Sequence, residues 1–514
     1  MKKRLIFLLP ALLCAFTLYA QDAVINRIIE LGRTDNQTTH WLDILSNRIG
    51  GRPIGSDAYN NAVTWTASKF KEWGMEVSIE EVGQFAVGFN RGPWFGRLLS
   101  ENGMTLHFAT PSYTSGTKGA QRGHVLIEPK SREEFQRMKG ALKGAWVLIG
   151  GTNTGRPIDI SPRGDSLRAA MLNYNDSISA INRNITAENR STGANKPLLP
   201  LRESPALLYR EMCEAGILGI IQSAPLPILA LSDRNVAMDP NMTFEKLPTI
   251  PDIKLNEHQY ATIYQMAKER QTFELEFDIR NHFKPGPVKY HTVVGIIRGS
   301  KYPNEYVMVS GHLDSYDVAT GGVDCGVGVT PAMEAARLIM KAGGKPLRSI
   351  AFCLFAGEEF GLLGAYAYVK QHKNELDKIS NLFNRDGGPT VPVGINVPEA
   401  MYDDFVKVCA PINKINPDFP FTVQKATPRP RPTSAGGTDA TVFAMEGVPT
   451  LGFSLADPKG YNFLYSEIWH TERDLFNKSI PEYQEHTSVV TAVVALGLAN
   501  LDHLLSRKGL YIEP

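Results

Sequence analysis

The chain has 514 residues, 43% of them apolar and 21% charged, which is the balance of an ordinary globular protein with room for two or three domains. A formal net charge of +1 supplies no electrostatic case for binding nucleic acid or an anionic membrane surface. Five widely spaced cysteines without a Cys-x-x-Cys pair argue against a disulfide-stapled scaffold or a thiolate-rich metal site.

Met1–Ala20 has the plan of a secretory signal peptide: Lys2-Lys3-Arg4, then an apolar run from Leu5 to Tyr19, then Ala20 as the small residue before Gln21. The apolar run is short for a bilayer span of about 20 residues, and no later segment is apolar enough to cross a membrane. A secreted or periplasmic protein is therefore expected. Cleavage leaves Cys213, Cys325, Cys353 and Cys409, with one disulfide among them left open.

Residues 26–74 read as helical with a break at Gly50-Gly51-Arg52-Pro53, and Met75-Glu-Val-Ser-Ile-Glu alternates as a strand does. From Arg122 the pattern changes. Gly123–Ile127, Gly144–Gly150 and Gly216–Gln222 are strand-like runs set between long polar loops, and Asn173–Asn195 reads as a surface excursion with little to bury. Pro285-Gly286-Pro287 looks like a rigid joint closing an inserted domain. The expected division is thus 1–20 signal peptide, 21–121 first part of the catalytic domain, 122–287 insert, and 288–514 second part carrying every candidate ligand.

After the joint, Tyr306–Ser310 and Ile350–Phe355 are apolar runs of the length of buried parallel strands. Pro331–Lys341 between them reads as a helix with proline in its first turn and Gly343-Gly344 at its stop. That is a β-α-β unit, and its polar residues gather beyond the carboxyl ends of the strands, where open α/β sheets place their ligands. Ile379–Phe383, Ala400–Val408, Val442–Phe453 and a closing helix over 486–505 follow.

The candidate residues sit at those strand ends. His312 and Asp314 share one side of a strand terminus, and a carboxylate next to a metal-binding histidine fixes its tautomer. Alone, the pair reads as readily as an ordinary polar loop. Asp324, in a glycine-rich loop, would alone be a helix cap. Glu358-Glu359 are adjacent carboxylates after a buried strand, which repel unless a cation or proton separates them. Asp386-Gly387 is by itself a turn, and His470 by itself a structural histidine. Together these side chains form a nitrogen and oxygen ligand set suited to zinc, large enough for two ions about 3.5–4 Å apart. Neither a His-Glu-x-x-His helix nor a Gly-x-Ser-x-Gly elbow occurs.

The order Gly-His312-Leu-Asp314-Ser, Gly-Gly-Val-Asp324, Glu358-Glu359, Asp386-Gly and His470-Thr resembles the co-catalytic zinc exopeptidases. That family holds bacterial leucyl-type aminopeptidases, glutamate carboxypeptidase and glutaminyl cyclase. Gly299-Ser-Lys-Tyr-Pro, Val309–Asp317 and Gly436-Gly-Thr-Asp-Ala most resemble its plasma glutamate carboxypeptidase branch. The resemblance implies an α/β fold, a mixed and mainly parallel sheet sandwiched by helices, with a β-rich protease-associated domain inserted. It implies two zinc ions bridged by Asp324, one also held by His312 and Asp386, the other by Glu359 and His470. It makes Glu358 the general base, Asp314 the partner that orients His312, and Asp439 a residue near the pocket. Cys325 departs from the pattern, since relatives often carry Asp or Asn there. The expected activity is hydrolysis of terminal bonds in short peptides, with a homodimer left open. The alternatives are a binding protein on the same fold, which should have lost ligands, and a single-zinc acyltransferase of the glutaminyl cyclase kind. End preference stays open too: Arg429 and Arg431 offer charge for a terminal carboxylate, but read equally as a stiff, solvated loop.

Overall fold

A computed structural model describes residues 22–100 and 103–512, so the expected signal peptide lies outside the described residues. The chain divides into two compact units. One comprises the chain up to Gly83 with Lys289–Trp469 and Arg473–Pro514; the other comprises Gln84–Val288 with His470–Glu472.

In the first unit the strands run in the order Ile379–Asn384, Tyr302–His312, Arg348–Phe355, and the later residues of Glu274–Ile297. The first three are mutually parallel and the last is antiparallel, which gives the mixed sheet expected. Register aligns Ser310 with Asn384 and His312 with Phe355, so three carboxyl ends finish together along one sheet edge. Met308, Ala351, Cys353, Phe355 and Leu382 face one layer with Leu362, Ala365, Tyr368, Val442 and Phe443. Alternate residues turn to the opposite side, where helices Gly326–Lys341 and Pro481–Ala499 pack on each other and on the strands. Helices on both faces bury the strand Arg348–Phe355 along its whole length, which is why Ile350–Phe355 is a continuous apolar run rather than an alternating one.

The helix expected from Pro331 begins instead at Gly326, with Pro331 inside it. A proline there removes the N–H that would bond the carbonyl of Val327. Arg385 Nε donates to that carbonyl at 3.0 Å, so the orphaned acceptor is satisfied and the helix continues through. The closing helix likewise spans Pro481–Ala499 rather than 486–505, with Pro481 in its first turn.

The second unit orders Gln121–Ile127, Trp146–Ile149, Gly219–Ala224 and Asp252–Asn256 as parallel neighbours, with Phe108–Ala109 antiparallel at the edge. It starts at Gln84, inside the long strand Glu76–Leu99, so the expected boundary at 121/122 falls within it. Pro285-Gly286-Pro287 is no linker either, for it lies within the 24-residue strand Glu274–Ile297. Asn173–Asn195 corrects a further expectation, because most of it belongs to the 31-residue helix Pro162–Thr192. That helix has strong termini: the Ser161 hydroxyl accepts from Gly164 N–H, Pro162 occupies the first turn, and Gly193 takes the left-handed C-cap conformation. Caps and length sustain it although it buries few side chains.

Two buried acids in this unit are held protonated to unusual pH. Burial pushes the Glu128 carboxyl up to about 7, although its Oε1 accepts the Gly150 N–H at 2.7 Å. Burial likewise raises Asp233, which caps Val236 N–H, to about 7. A folded state that keeps these protons to higher pH than the unfolded chain loses stability as pH rises. The contribution is present below about 4 and gone above about 7, with an upper bound of roughly 3 kcal/mol for Glu128 and roughly 4 kcal/mol for Asp233. Hydrogen exchange of the Trp146–Ile149 amides should therefore show easier opening at pH 8 than at pH 5. Glu128→Gln and Asp233→Asn should each flatten that slope, since both amides keep an acceptor without the titration.

Candidate metal centre

Strand geometry delivers the site. His312 is the last residue of its strand, Asp386 follows Ile379–Asn384 by two positions, and Glu358-Glu359 follow Arg348–Phe355 by three and four. His312 is 1% exposed, Asp314 0%, Asp324 3% and Glu359 3%, so these polar groups lie in the interior. His312 Nδ1 donates to the Asp314 carbonyl oxygen at 3.0 Å. That leaves Nε2 as the atom that meets a ligand, 3.0 Å from Asp324 Oδ1 and 3.6 Å from Asp386 Oδ1. His312, Asp324 and Glu359 each place a ligand atom within 4.8 Å of the other two, and so do His312, Cys325 and Asp386.

Asp314 ties the strand ends to one another. Its carboxylate accepts the backbone N–H groups of Glu358 at 3.2 Å and Glu359 at 3.3 Å, while Oδ1 lies 3.7 Å from His312 Nδ1. Asp324 is not the helix cap that its position suggested; Cys325 holds the N-cap place and makes no side-chain cap bond. Asp439 is fully buried, and both its carboxyl oxygens lack a hydrogen-bond partner among the described residues.

The electrostatics are those of an anionic pocket. Burial opposes a charged His312 ring, yet Cys325, Asp314, Asp324 and Asp386 together hold it well above its usual range. Glu358 is pushed up to about 8, by burial first and then by Glu359, Asp386 and Asp314, against the pull of His312. Burial, with Glu358 nearby, drives Asp439 well above the carboxylate range. Carboxylates crowded this closely hold protons unless cations replace them. The donor set of imidazole and carboxylates, with one histidine nitrogen reserved for the ligand, fits zinc.

Three residues to which the sequence reading gave no role support this arrangement. Arg52 is 0% exposed; its Nε donates to Leu313 O at 2.6 Å and Nη1 to Thr320 O at 3.1 Å, holding the loop between His312 and Asp324. Asp474 Oδ1 accepts from Val323 N–H at 2.7 Å and Asp324 N–H at 3.1 Å, which orients the Asp324 backbone. Tyr465 packs against Val323 and Val327 next to Asp324, and burial, with Asp324 and Asp386, holds its phenol well above its usual range. Their signal in sequence was faint. Arg52 sits in a glycine-rich loop and Asp474 lies four residues after His470.

His470 is grouped with the second unit. It has φ 60° and opens the segment His470–Glu472, where Thr471 bridges to Leu229 and Glu472 accepts from Ile228 N–H at 3.1 Å. Neither ligand group includes it. Arg429 and Arg431 are engaged elsewhere: Arg429 bonds Thr450 Oγ1 at 2.7 Å and Arg431 Nε bonds Met445 O at 2.9 Å, as a stiffened loop would. All four cysteines of the described residues are free, and no described helix is long and apolar enough to cross a membrane.

Known proteins extend these observations. Carboxypeptidase Q of Xenopus laevis is 25% identical over 495 residues, covering 94% of this chain and 91% of the relative. Carboxypeptidase Q of Homo sapiens is 26% identical over 499 residues, covering 94% and 90%. A solved structure, a peptidase M28 precursor from Shewanella amazonensis, superposes with a TM-score of 0.57 at 21% identity, covering 95% of this chain and 98% of that one, and so shares the fold. Residues 292–494, the stretch that carries all the candidate ligands, match Peptidase family M28. Over residues 292–494 the chain is similar to the M28 peptidases, and with its carboxypeptidase Q relatives this supports a hydrolase.

Proposed function

We propose that this protein is an exported zinc exopeptidase that removes terminal residues from short peptides, using two ions. The observation that carries the reading is the convergence of His312, Asp324, Glu359 and Asp386 at one sheet edge. Asp324 would bridge the ions, with His312 and Asp386 on one and Glu359 and His470 on the other. His470 enters this set from the sequence pattern alone. When bound, zinc polarises a carbonyl oxygen and lowers the pKa of water.

The protein's own residues supply the rest. Asp314 holds His312 in the tautomer that presents Nε2, and fixes the backbone of Glu358 and Glu359. Glu358 lies beside the ligands without being one, where it can take a proton from the attacking water and return it to the leaving amine. Burial first, and then the crowding of neighbouring carboxylates, raises its pKa; cations offset both and return it to the carboxylate form a base needs. Likeness to proteins named carboxypeptidase Q over 94% of the chain favours a carboxypeptidase or dipeptidase over an aminopeptidase. Carrying every ligand and the base, the chain gives no support to a binding protein with a degraded site.

Glu358→Gln should lower kcat by about 10²–10⁴-fold with bound metal unchanged, and full turnover in that variant would overturn the assignment of the base. Asp314→Asn should weaken metal affinity or activity about 10–100-fold, measured by metal titration alongside kinetics. Dipeptides amidated at the carboxyl end should be resisted, with those acetylated at the amino end cleaved by a carboxypeptidase and resisted by a dipeptidase; cleavage of the amidated set with the acetylated set resisted would make it an aminopeptidase.

A further inference from the structure

Cys325 follows the candidate bridging residue directly, and it is the one cysteine placed among ligand atoms in the described residues. Its Sγ, a His312 ring nitrogen and an Asp386 carboxylate oxygen all lie within 4.8 Å of one another. His312 Nε2 and Asp386 Oδ1 are 3.6 Å apart, a separation that one tetrahedral ion can span. The side chain is 0% exposed, and its thiol donates to the carbonyl of Arg385 at 3.1 Å, the residue just before Asp386. Gly328 walls the sulfur on another side: a Cβ there would stand 2.4 Å from Sγ and 2.2 Å from Arg385 O. The sulfur is thus fixed against the loop that carries Asp386. Cys353, by contrast, lies in an apolar core cluster, and Cys213 and Cys409 belong to neither ligand group.

Imidazole, thiolate and carboxylate together form a ligand set that zinc accepts readily, and thiolate selects against hard cations such as magnesium and manganese. We propose that Cys325 Sγ is a thiolate ligand of the ion held by His312 and Asp386, so that the centre has one sulfur-bearing position and one with nitrogen and oxygen ligands only. The inference rests on the two-ion reading above. Binding breaks the S–H bond, forms a metal–sulfur bond and releases one proton to solvent, with no change of oxidation state. The Arg385 carbonyl then loses its donor, which the loop can replace with water. The first position is thereby thiophilic, and the two ions become exchangeable at different rates.

X-ray absorption at the zinc edge of the fully loaded wild-type protein should show a sulfur scatterer at about 2.3 Å, at one sulfur per two zinc ions. Cobalt substitution should give a sulfur-to-cobalt charge-transfer band in the near ultraviolet, lost in Cys325→Ser and kept in Cys213→Ser. Zinc bound with nitrogen and oxygen scatterers only, and no charge-transfer band, would overturn the inference while leaving the two-ion reading intact. A wild-type protein that retains no zinc would instead overturn the reading beneath it. Should Cys325→Ser fail to fold, the wild-type spectra alone decide.

Discussion

Everything at the candidate centre depends on burying carboxylates around one imidazole. His312 Nε2 faces Asp324 and Asp386 while its other nitrogen is tied to the Asp314 carbonyl, and Glu358, Glu359 and Asp439 stand close by. Desolvating even one unpaired carboxylate costs several kcal/mol, and here several share one pocket. Protons can relieve that cost, as the raised Glu358 and Asp439 show, but protonated acids make poor bases. Divalent cations relieve it and leave the carboxylates ionised. The electrostatic problem and the catalytic requirement thus have the same solution.

The sheet makes such crowding achievable. Three parallel strands, packed with helices on both faces, end in register, so loops that are distant in sequence start from neighbouring points. Arg52 and Asp474 then constrain the longest of these loops from opposite directions, one donating to its carbonyls and the other accepting from its amides. Both are ionisable side chains that are buried and paired with backbone, a costly arrangement that persists only where the loop's shape matters. Arg385 serves two functions at once, satisfying the Val327 carbonyl left by Pro331 and offering its own carbonyl to Cys325.

Much of this was legible in the sequence because chemistry-bearing residues stood immediately after apolar runs of strand length. His312, Asp386 and the Glu358-Glu359 pair could be placed that way, and the mixed sheet followed from the same runs. The helix start at Gly326 was not legible, since the bond that rescues Val327 comes from Arg385, 58 residues away. Arg52 and Asp474 were invisible for the same reason: their partners are 261 and 150 or more residues distant. The helix Pro162–Thr192 is hard to read from sequence because its polar composition masks the Ser-Pro start and glycine stop. The start of the second unit leaves no mark in the sequence because Glu76–Leu99 is one uninterrupted strand, with no break in composition at Gln84.

Counting bound zinc after exhaustive chelation and equilibrium reloading tests the central claim most directly. Two ions per chain in the wild type, both weakened together by Asp324→Ala, is the expected result. A metal-free protein that still cleaves peptides at its full rate would contradict the account.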